Sequence, residues 1–144
     1  MTAEVQKDPG RGVAVVSVTV PLDRLDSLLA VLSLAGETVA GKTADGETVF
    51  VPLSSVYYFE TVDNRLFFCT ERETYECPAR LKQMEEELRD FPFARVSKTA
   101  VVNLERLASI RPEKNSRLTA TLTNGERLTV NRQYVRSVKE KLGV

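Results

Sequence analysis

The pattern of apolar and polar positions separates an N-terminal strand–helix segment from a longer segment of short strands. Residues 13–20 are rich in β-branched side chains, which favours a strand. Leucines then recur every three or four residues, the spacing of one apolar helix face. This leucine stripe consists of Leu22, Leu25, Leu28, Leu29 and Leu32. Gly36 ends the predicted helix, and strand-like composition begins near Glu47 with residues 49–51.

The second segment contains a predicted hairpin in its first half. Residues 56–59 and 66–70 have strand composition, and Asp63-Asn64 supplies the turn between them. Residues 74–76 predict one more short strand. A proline at position 78 then opens a helix that is predicted to reach about Asp90. Its apolar face consists of Leu81, Met84 and Leu88.

A second hairpin and a terminal helix are predicted towards the C-terminus. Apolar residues alternate with threonines over residues 118–123, and Asn124-Gly125 is a strong two-residue hairpin signal. The return strand continues through Leu128 and Val130. Residues 132–142 have helical spacing. The side chains predicted to point inward are Tyr134, Val135, Val138 and Leu142.

Composition indicates one domain with an appendage. The 144 residues are 42% hydrophobic, which is enough for a buried core. Neither a membrane span nor a signal peptide is predicted, because charges interrupt every apolar stretch. Cys69 and Cys77 are the only cysteines, and we expect both to be reduced thiols in a cytoplasmic protein.

The net charge of zero conceals an uneven distribution of charge. Residues 91–144 hold 11 Lys/Arg and 4 Asp/Glu, a net of +7. Residues 46–90 hold 5 Lys/Arg and 10 Asp/Glu, a net of −5. Residues 1–45 hold 4 Lys/Arg and 6 Asp/Glu, a net of −2. A basic C-terminal third suits contact with a phosphate backbone, whereas the zero total argues against indiscriminate polyanion binding.

No catalytic or metal-binding arrangement is predicted, so we expect a protein that is not an enzyme and has no cofactor. The chain contains no histidine, which removes the commonest general base and metal ligand. Consecutive Glu85, Glu86 and Glu87 would splay around a helix instead of converging on one atom. Cys69 and Cys77 have no histidine partner for a zinc site or a nucleophile.

Cations near predicted turns are the candidate binding residues. These cations are Arg65, Arg95, Lys98, Arg132, Arg136 and Lys139. Cations carried by loops can reach into a groove, whereas cations along a strand lie flat. From charge alone, scattered Lys and Arg that merely keep the surface hydrated are an equally good explanation.

Several motifs from residue 46 onward resemble, in order and spacing, the LytTR DNA-binding domain family. Residues 56–60 (VYYFE) match the family's I-x-Y-I-E strand. Residues 93–103 (FARVSKTAVVN) are similar to its F-x-R-x-H-R-S-x-x-V-N signature. Residues 123–134 (TNGERLTVNRQY) resemble L-x-N-G-x-x-x-x-V-S-R-x-Y. The resemblance covers residues 46–143.

The resemblance implies an α+β, mostly β domain of short antiparallel strands with a packed helix, here residues 46–144. Residues 1–45 would be a strand–helix extension. In this family, loops rather than a helix-turn-helix enter successive major grooves of double-stranded DNA. Carried over by position, the DNA-contacting residues are Asn64, Arg65, Arg95, Ser97, Lys98, Asn131, Arg132, Gln133 and Tyr134. Lys and Arg can donate to guanine or phosphate, and Asn can pair with adenine.

Two positions depart from the family signature. Ser97 stands where histidine is common, and Asn131 stands where serine is common. The change at position 97 removes a donor ring and leaves the base preference of that loop open. Asn103 matches an asparagine of the signature, and we interpret it as turn chemistry at a strand end, not as a DNA contact.

The short N-terminal segment suggests how the protein is controlled. It has neither the length nor the acidic pattern of a phosphorylatable receiver domain, so the resemblance predicts a stand-alone bacterial regulator. Some such family members are restrained by an integral membrane protein, which would be a regulator by resemblance only. Paired DNA half-sites also suggest a homodimer. The leucine stripe could pack on the protein's own sheet or form that dimer contact.

The sequence therefore predicts a sequence-specific regulator of transcription that binds duplex DNA through loops in successive major grooves. The alternative is a protein-interaction module, in which the N-terminal extension binds a partner and DNA readout is weak or lost. Steep dependence of affinity on salt would favour the first, because bound phosphates release counterions. A leucine-mediated contact would be nearly insensitive to salt.

Replacing Leu25 by alanine tests the two interpretations of the leucine stripe. If the stripe packs within the monomer, the substitution costs about 2–5 kcal/mol of stability in a denaturant melt. If the stripe is a dimer face, the monomer stays folded and light scattering shows half the parental mass. Unchanged melting, mass and DNA affinity would contradict both interpretations.

Overall fold

The computed structural model describes residues 2–6, 15–19 and 37–144, and the structural statements below concern these residues. The strands are β1 (Thr2–Gln6), β2 (Val15–Thr19), β3 (Thr38–Lys42), β4 (Thr48–Pro52), β5 (Tyr58–Val62), β6 (Arg65–Cys69), β7 (Thr74–Cys77), β8 (Phe93–Arg95), β9 (Ala100–Asn103), β10 (Leu107–Pro112), β11 (Leu118–Leu122) and β12 (Arg127–Val130). The helices are α1 (Leu81–Glu87) and α2 (Arg132–Leu142).

The strands form three antiparallel sheets. A seven-stranded sheet has the order β4-β3-β7-β6-β5-β9-β8, and a three-stranded sheet has the order β10-β11-β12. Strands β1 and β2 pair with each other, with Thr2 opposite Thr19. The leucine stripe lies outside the described residues, so both interpretations of it remain predictions.

One face of the seven-stranded sheet packs against α1. Phe59, Phe68 and Phe93 point to this face, and the Phe59 ring lies 5.5 Å from Phe68 and 5.9 Å from Phe93 between centroids. Helix α1 contributes Leu81 and Met84, and Leu88 follows directly after it; all three side chains are buried. This first core therefore uses the apolar face that the sequence predicts for the helix.

The opposite face of the same sheet is covered by the three-stranded sheet and α2. Alternate residues of β11 are buried, which is the pattern of a strand with one face inward. The second core consists of Tyr57, Tyr58, Ala94, Val96, Ala100, Val102, Leu118, Ala120, Leu122, Val130 and Val138. Tyr134, Val135 and Leu142 pack against it from α2, as predicted. The central strands are consequently apolar on both faces.

The two tyrosines at the start of β5 tie the sheets together. The Tyr58 hydroxyl donates to Glu126 Oε1 at 2.9 Å, and the Tyr57 hydroxyl accepts from Thr123 Oγ1 at 3.0 Å. Burial is the main cause that raises the pKa of Tyr58, so this hydroxyl stays protonated and donating. The guanidinium of Arg106 lies 5.4 Å from the Tyr57 ring centroid.

Strand β3 is present although the sequence pattern did not predict it. Its Gly41 lies under Phe68 and Tyr75, and an added Cβ would come within 2.6 Å of the Phe68 ring. Glycine is therefore required here by the close approach of two aromatic side chains. Strand β3 pairs with β4 and β7, so residues 38–42 are part of the seven-stranded sheet.

The other predicted elements can be compared directly with the structure. The β5–β6 hairpin turns at Asp63 and Asn64, both with positive φ, and β11–β12 turns at Asn124-Gly125. The terminal helix has the predicted bounds. Helix α1 is shorter than the predicted 78–90, because residues 78–79 form a bend, Arg80 is extended, and the Arg89 amide already bonds to Glu86 in a tighter turn.

The two cysteines are free thiols in different surroundings. Cys77 is buried in the first core, and burial raises the pKa of its thiol to about 11. Cys69 is half-buried, and its Sγ lies 3.6 Å from Thr74 Oγ1. In the part of the chain that the structure describes, no helix is long and apolar enough to cross a membrane.

Asn103 holds the end of β9, as predicted for a structural residue. Its side chain is 1% exposed. The Nδ2 group donates to Val56 O at 2.8 Å, and Oδ1 accepts from the Glu105 amide at 3.0 Å. The same amide thus supports the entry to β5 and caps the short turn Leu104–Arg106.

Replacing Asn103 by alanine is expected to destabilise the fold by about 2 kcal/mol, because the buried Val56 carbonyl loses its donor. Urea melts of the variant and of Ser109→Ala, an exposed control, measure the difference. An unchanged melt combined with lower affinity for DNA would contradict the structural role.

Candidate nucleic-acid interface

Four connections lie at the same end of the strands. Leu66 pairs with Thr61, so the turn at 63–64 lies beyond Val62. Ala100 pairs with Glu60, which places loop 97–99 beside that turn. Leu118 pairs with both Pro112 and Val130, so turn 113–117 lies beside the junction of β12 and α2. We call these four connections together the loop end.

Backbone hydrogen bonds join the three connections that the sequence predicts to contact DNA. The Thr61 amide, at the end of β5, donates to Thr99 O at 2.8 Å. The Asn131 amide, at the start of α2, donates to Val96 O at 2.9 Å. Loop 97–99 is thus held from both sides, and its position relative to the other two connections is fixed by the main chain.

The sequence-predicted Arg95 is engaged with the loop itself. Its Nε donates to Ser97 O at 2.6 Å, and its Nη2 donates to Lys98 O at 2.5 Å. Its Nη1 donates to Glu85 Oε1 at 2.9 Å. Together with the amides of Thr61 and Asn131, these bonds give every carbonyl from residue 96 to 99 a donor. Arg95 therefore fixes the loop shape in the free protein.

Ser97 and Lys98 have different surroundings in this loop. The Ser97 hydroxyl accepts the Thr99 amide at 3.2 Å, which closes a tight turn. Lys98 is exposed, and among the described residues its ammonium has no hydrogen-bond or ion-pair partner. The loop therefore presents one free cation at its tip.

The β5–β6 turn presents Asn64 and Arg65. Asn64 is exposed in a left-handed conformation that this residue type tolerates well. Arg65 donates from Nε to Glu76 Oε2 at 3.1 Å and from Nη2 to Glu76 Oε1 at 2.5 Å. It also lies 5.5 Å from the Phe67 ring centroid. This bidentate pair lowers the pKa of the Glu76 carboxyl and raises the pKa of Arg65.

The junction of β12 and α2 presents the remaining predicted residues. Asn131 precedes the helix, and its side chain does not cap the helix amides. Arg132 and Gln133 are exposed in the first turn. Tyr134 is half-buried and packs against the second core, which fixes the direction of this turn. Further along α2, Arg136 pairs with Glu140 at 3.2 Å.

The sequence analysis did not identify turn 113–117 as part of the candidate surface. It carries Lys114 and Arg117, both exposed, and its Asn115 and Ser116 have positive φ. Short-range patterns could not place this turn, because its position depends on the pairing of β11 with both neighbours. The signal available was the local charge of residues 111–117, with three cations and one anion.

The loop end and the opposite end of the domain carry opposite charge. The loop-end residues 63–65, 97–99, 113–117 and 131–134 include five Lys/Arg and two Asp/Glu. The turns at the opposite end, residues 43–47, 70–73 and 123–126, include one Arg and five Asp/Glu. The charge asymmetry along the sequence therefore becomes a separation of charge in space.

A solved structure with the same fold and a similar sequence is described as a DNA-binding domain. A solved LytTr DNA-binding domain from Bacillus cereus superposes with a TM-score of 0.70 at 30% identity, covering 75% of this chain and 98% of that one. This match confirms the mostly β, antiparallel fold class that the resemblance implied. The family is one of DNA-binding domains and not of enzymes.

Curated relatives match over the same part of the chain. The sensory transduction protein LytT of Enterococcus faecalis is 28% identical over 89 residues, which is 62% of this chain and 37% of the relative. LytT of Bacillus subtilis is 28% identical over 112 residues, 78% of this chain and 46% of the relative. An uncharacterised HTH-type transcriptional regulator of Staphylococcus aureus is 25% identical over 100 residues, 69% and 67% of the two chains. This chain spans less than half the length of the two LytT proteins.

A family profile decides the assignment. The profile of the LytTr DNA-binding domain matches residues 46–143, which is most of the chain and includes all four connections of the loop end. The chain belongs to the LytTr DNA-binding domain family.

Proposed function

We propose that this protein is a sequence-specific, double-stranded DNA-binding regulator of transcription that docks its loop end on the duplex. The observation that carries the proposal is the main-chain linkage of three loops, which presents Lys98 and Arg132 at neighbouring positions, neither of them paired with any described residue. Preorganised donors lose little conformational entropy on binding, so such a surface suits a regular polyanion. A regulator of this kind would act in the cytoplasm of a bacterium.

The three loops would divide the contacts along the duplex. Loop 97–99 lies between the other two connections, so Lys98 would enter one major groove. Asn64 and Arg65 would lie on one side of it, and Asn131 with Arg132 and Gln133 on the other. Lys and Arg can donate to guanine O6 and N7. The side-chain amide of Asn131, which does not cap the helix, can pair with adenine.

The outer turn would add contacts to the backbone of the DNA. Lys114 and Arg117 are exposed and flank the left-handed residues Asn115 and Ser116, in the turn beside the start of α2. Their position at the rim of the surface favours phosphate over base contacts, because phosphates line the groove edges. The acidic turns at the opposite end would orient the domain during approach, since a polyanion repels them.

A homodimer and a membrane-protein regulator remain proposals that rest on family resemblance alone.

Selection of bound duplexes from random DNA, followed by titration at several salt concentrations, tests the proposal. A DNA-binding regulator yields a consensus site and a slope of log affinity against log salt near about −0.9 per neutralised phosphate. No consensus and an affinity that is insensitive to salt would contradict it and favour a protein-interaction module.

Replacing Lys98 by alanine is expected to weaken binding of the selected duplex without changing the fold, because the ammonium has no partner within the described residues. A base contact would cost roughly 1–3 kcal/mol and depend on sequence, whereas a phosphate contact would reduce the salt slope by about one. Fluorescence anisotropy measures both quantities. Arg72→Ala, in a turn at the opposite end, is the control for loss of a positive charge. Parental affinity in the Lys98 variant would refute its assigned contact.

Arg65→Ala and Arg132→Ala are expected to weaken DNA protection on different sides of the footprint. The reason is that their connections flank loop 97–99 from opposite sides through the Thr61 and Asn131 amides. Hydroxyl-radical footprinting of the two variants and of Arg72→Ala resolves the two sides. The docking order would be wrong if both variants protected the same bases as the parent.

A further inference from the structure

The side chain of Arg95 is largely covered and is hydrogen-bonded within the protein. It ends β8, and its side chain is 21% exposed. All three guanidinium nitrogens have protein acceptors: the carbonyls of Ser97 and Lys98, and the carboxylate of Glu85. Three of the five N–H donors are thus engaged within the protein, so a DNA phosphate would find at most the two remaining N–H groups of a largely covered side chain.

The geometry of the contact is specific to arginine. The guanidinium is a rigid planar fork, and here Nε and Nη2 each bond one of two consecutive carbonyls. Lysine has one ammonium on a flexible chain and cannot span both carbonyls while also reaching Glu85. With these carbonyls held inward, the Lys98 side chain between them is left facing solvent.

Glu85 anchors the fork from a different element. It lies on α1, whose apolar face belongs to the first core, and it holds the third nitrogen at 2.9 Å. Its neighbours Glu86 and Glu87 are exposed, and within the described residues neither side chain has a hydrogen-bond or ion-pair partner. The three consecutive glutamates therefore differ, and one of them connects the helix to the loop end.

We propose that Arg95 and Glu85 are positioning residues, which hold loop 97–99 in its DNA-binding shape without contacting DNA. This inference rests on the proposed function and changes the role of Arg95 from a contact to a support. It also makes α1, which packs on the sheet away from the second core, a determinant of DNA affinity. The proposal therefore predicts the direction in which a substitution at Glu85 changes the affinity for DNA.

Replacing Glu85 by glutamine separates positioning from simple electrostatics. Removing a negative charge from a DNA-binding protein raises its affinity for a polyanion when the charge acts only at long range. If Glu85 anchors Arg95, a neutral hydrogen bond replaces the charge-assisted one, the anchor loosens, and the affinity for the selected duplex falls by up to about tenfold. Glu86→Gln removes the same charge one residue away and is the matched control, expected to bind as well as the parent or slightly better.

Two substitutions at Arg95 give an independent readout. If Arg95 positions the loop, Arg95→Lys loses as much affinity as Arg95→Gln, and the salt slope of both equals that of the parent. If Arg95 contacts a phosphate, Arg95→Lys keeps most of the affinity and Arg95→Gln reduces the salt slope by about one. The second result would overturn the proposal.

Hydrogen exchange in the free protein tests the same idea without DNA. The amides of Val96 and Ser97 bond to Ala100 O within the loop turn. They should exchange faster in Arg95→Lys and Glu85→Gln than in the parent and in Glu86→Gln, while urea melts stay cooperative. Parental exchange rates in Arg95→Lys and Glu85→Gln would overturn the positioning role, and if Arg95→Lys failed to fold, parental rates in Glu85→Gln would overturn it alone.

The outcomes distinguish this inference from the proposed function. If the parent binds no duplex selectively, the proposed function and this role in DNA binding are both overturned. If the parent binds and Glu85→Gln gains affinity as Glu86→Gln does, only the positioning role is overturned.

Discussion

Strand β9 is the constraint on which the rest of the structure depends. All four of its residues are buried, with Val101 in the first core and Ala100 and Val102 in the second. It is hydrogen-bonded to β5 on one side and to β8 on the other. A strand enclosed in this way has no free face or edge, so the residues that meet a partner must come from the connections at its ends. Because β5, β8 and β9 are neighbours, those connections converge.

Much of this arrangement follows from short-range signals. The Asp63-Asn64 turn, the Asn124-Gly125 hairpin and the bounds of α2 are set by local backbone preferences, and the sequence predicts them correctly. Strands β1, β3 and β10 were not predicted, although each pairs with the next strand along the chain. Gly41 in β3 is explained only by the two aromatic rings above it. The division of the chain near residue 45 stays a prediction.

The resemblance proposed residues for the candidate surface, but it did not predict the hydrogen bonds that these residues form within the protein. Sequence resemblance identified Arg95 among the binding residues, and only the structure shows its three nitrogens bonded to the protein. Likewise, the contact between Arg65 and Glu76 joins residues on two adjacent strands, and charge counts along the chain do not reveal it. Turn 113–117 joined the surface because antiparallel pairing returned it to the same end of the domain.

The hydrogen bonds that fix the main chain of loop 97–99 come mostly from other residues, which explains how Ser97 can stand where the family signature has histidine. The carbonyls of residues 96–99 are held by Arg95 and by two backbone amides, so the course of the main chain depends little on the side chain at position 97. A serine there uses its hydroxyl on the Thr99 amide and reinforces the turn. It offers a shorter and weaker reach towards a base than an imidazole would. In the proposed mode of DNA binding, base readout in this loop would therefore rest on Lys98, whose ammonium can donate to guanine O6 and N7 from the same fixed backbone.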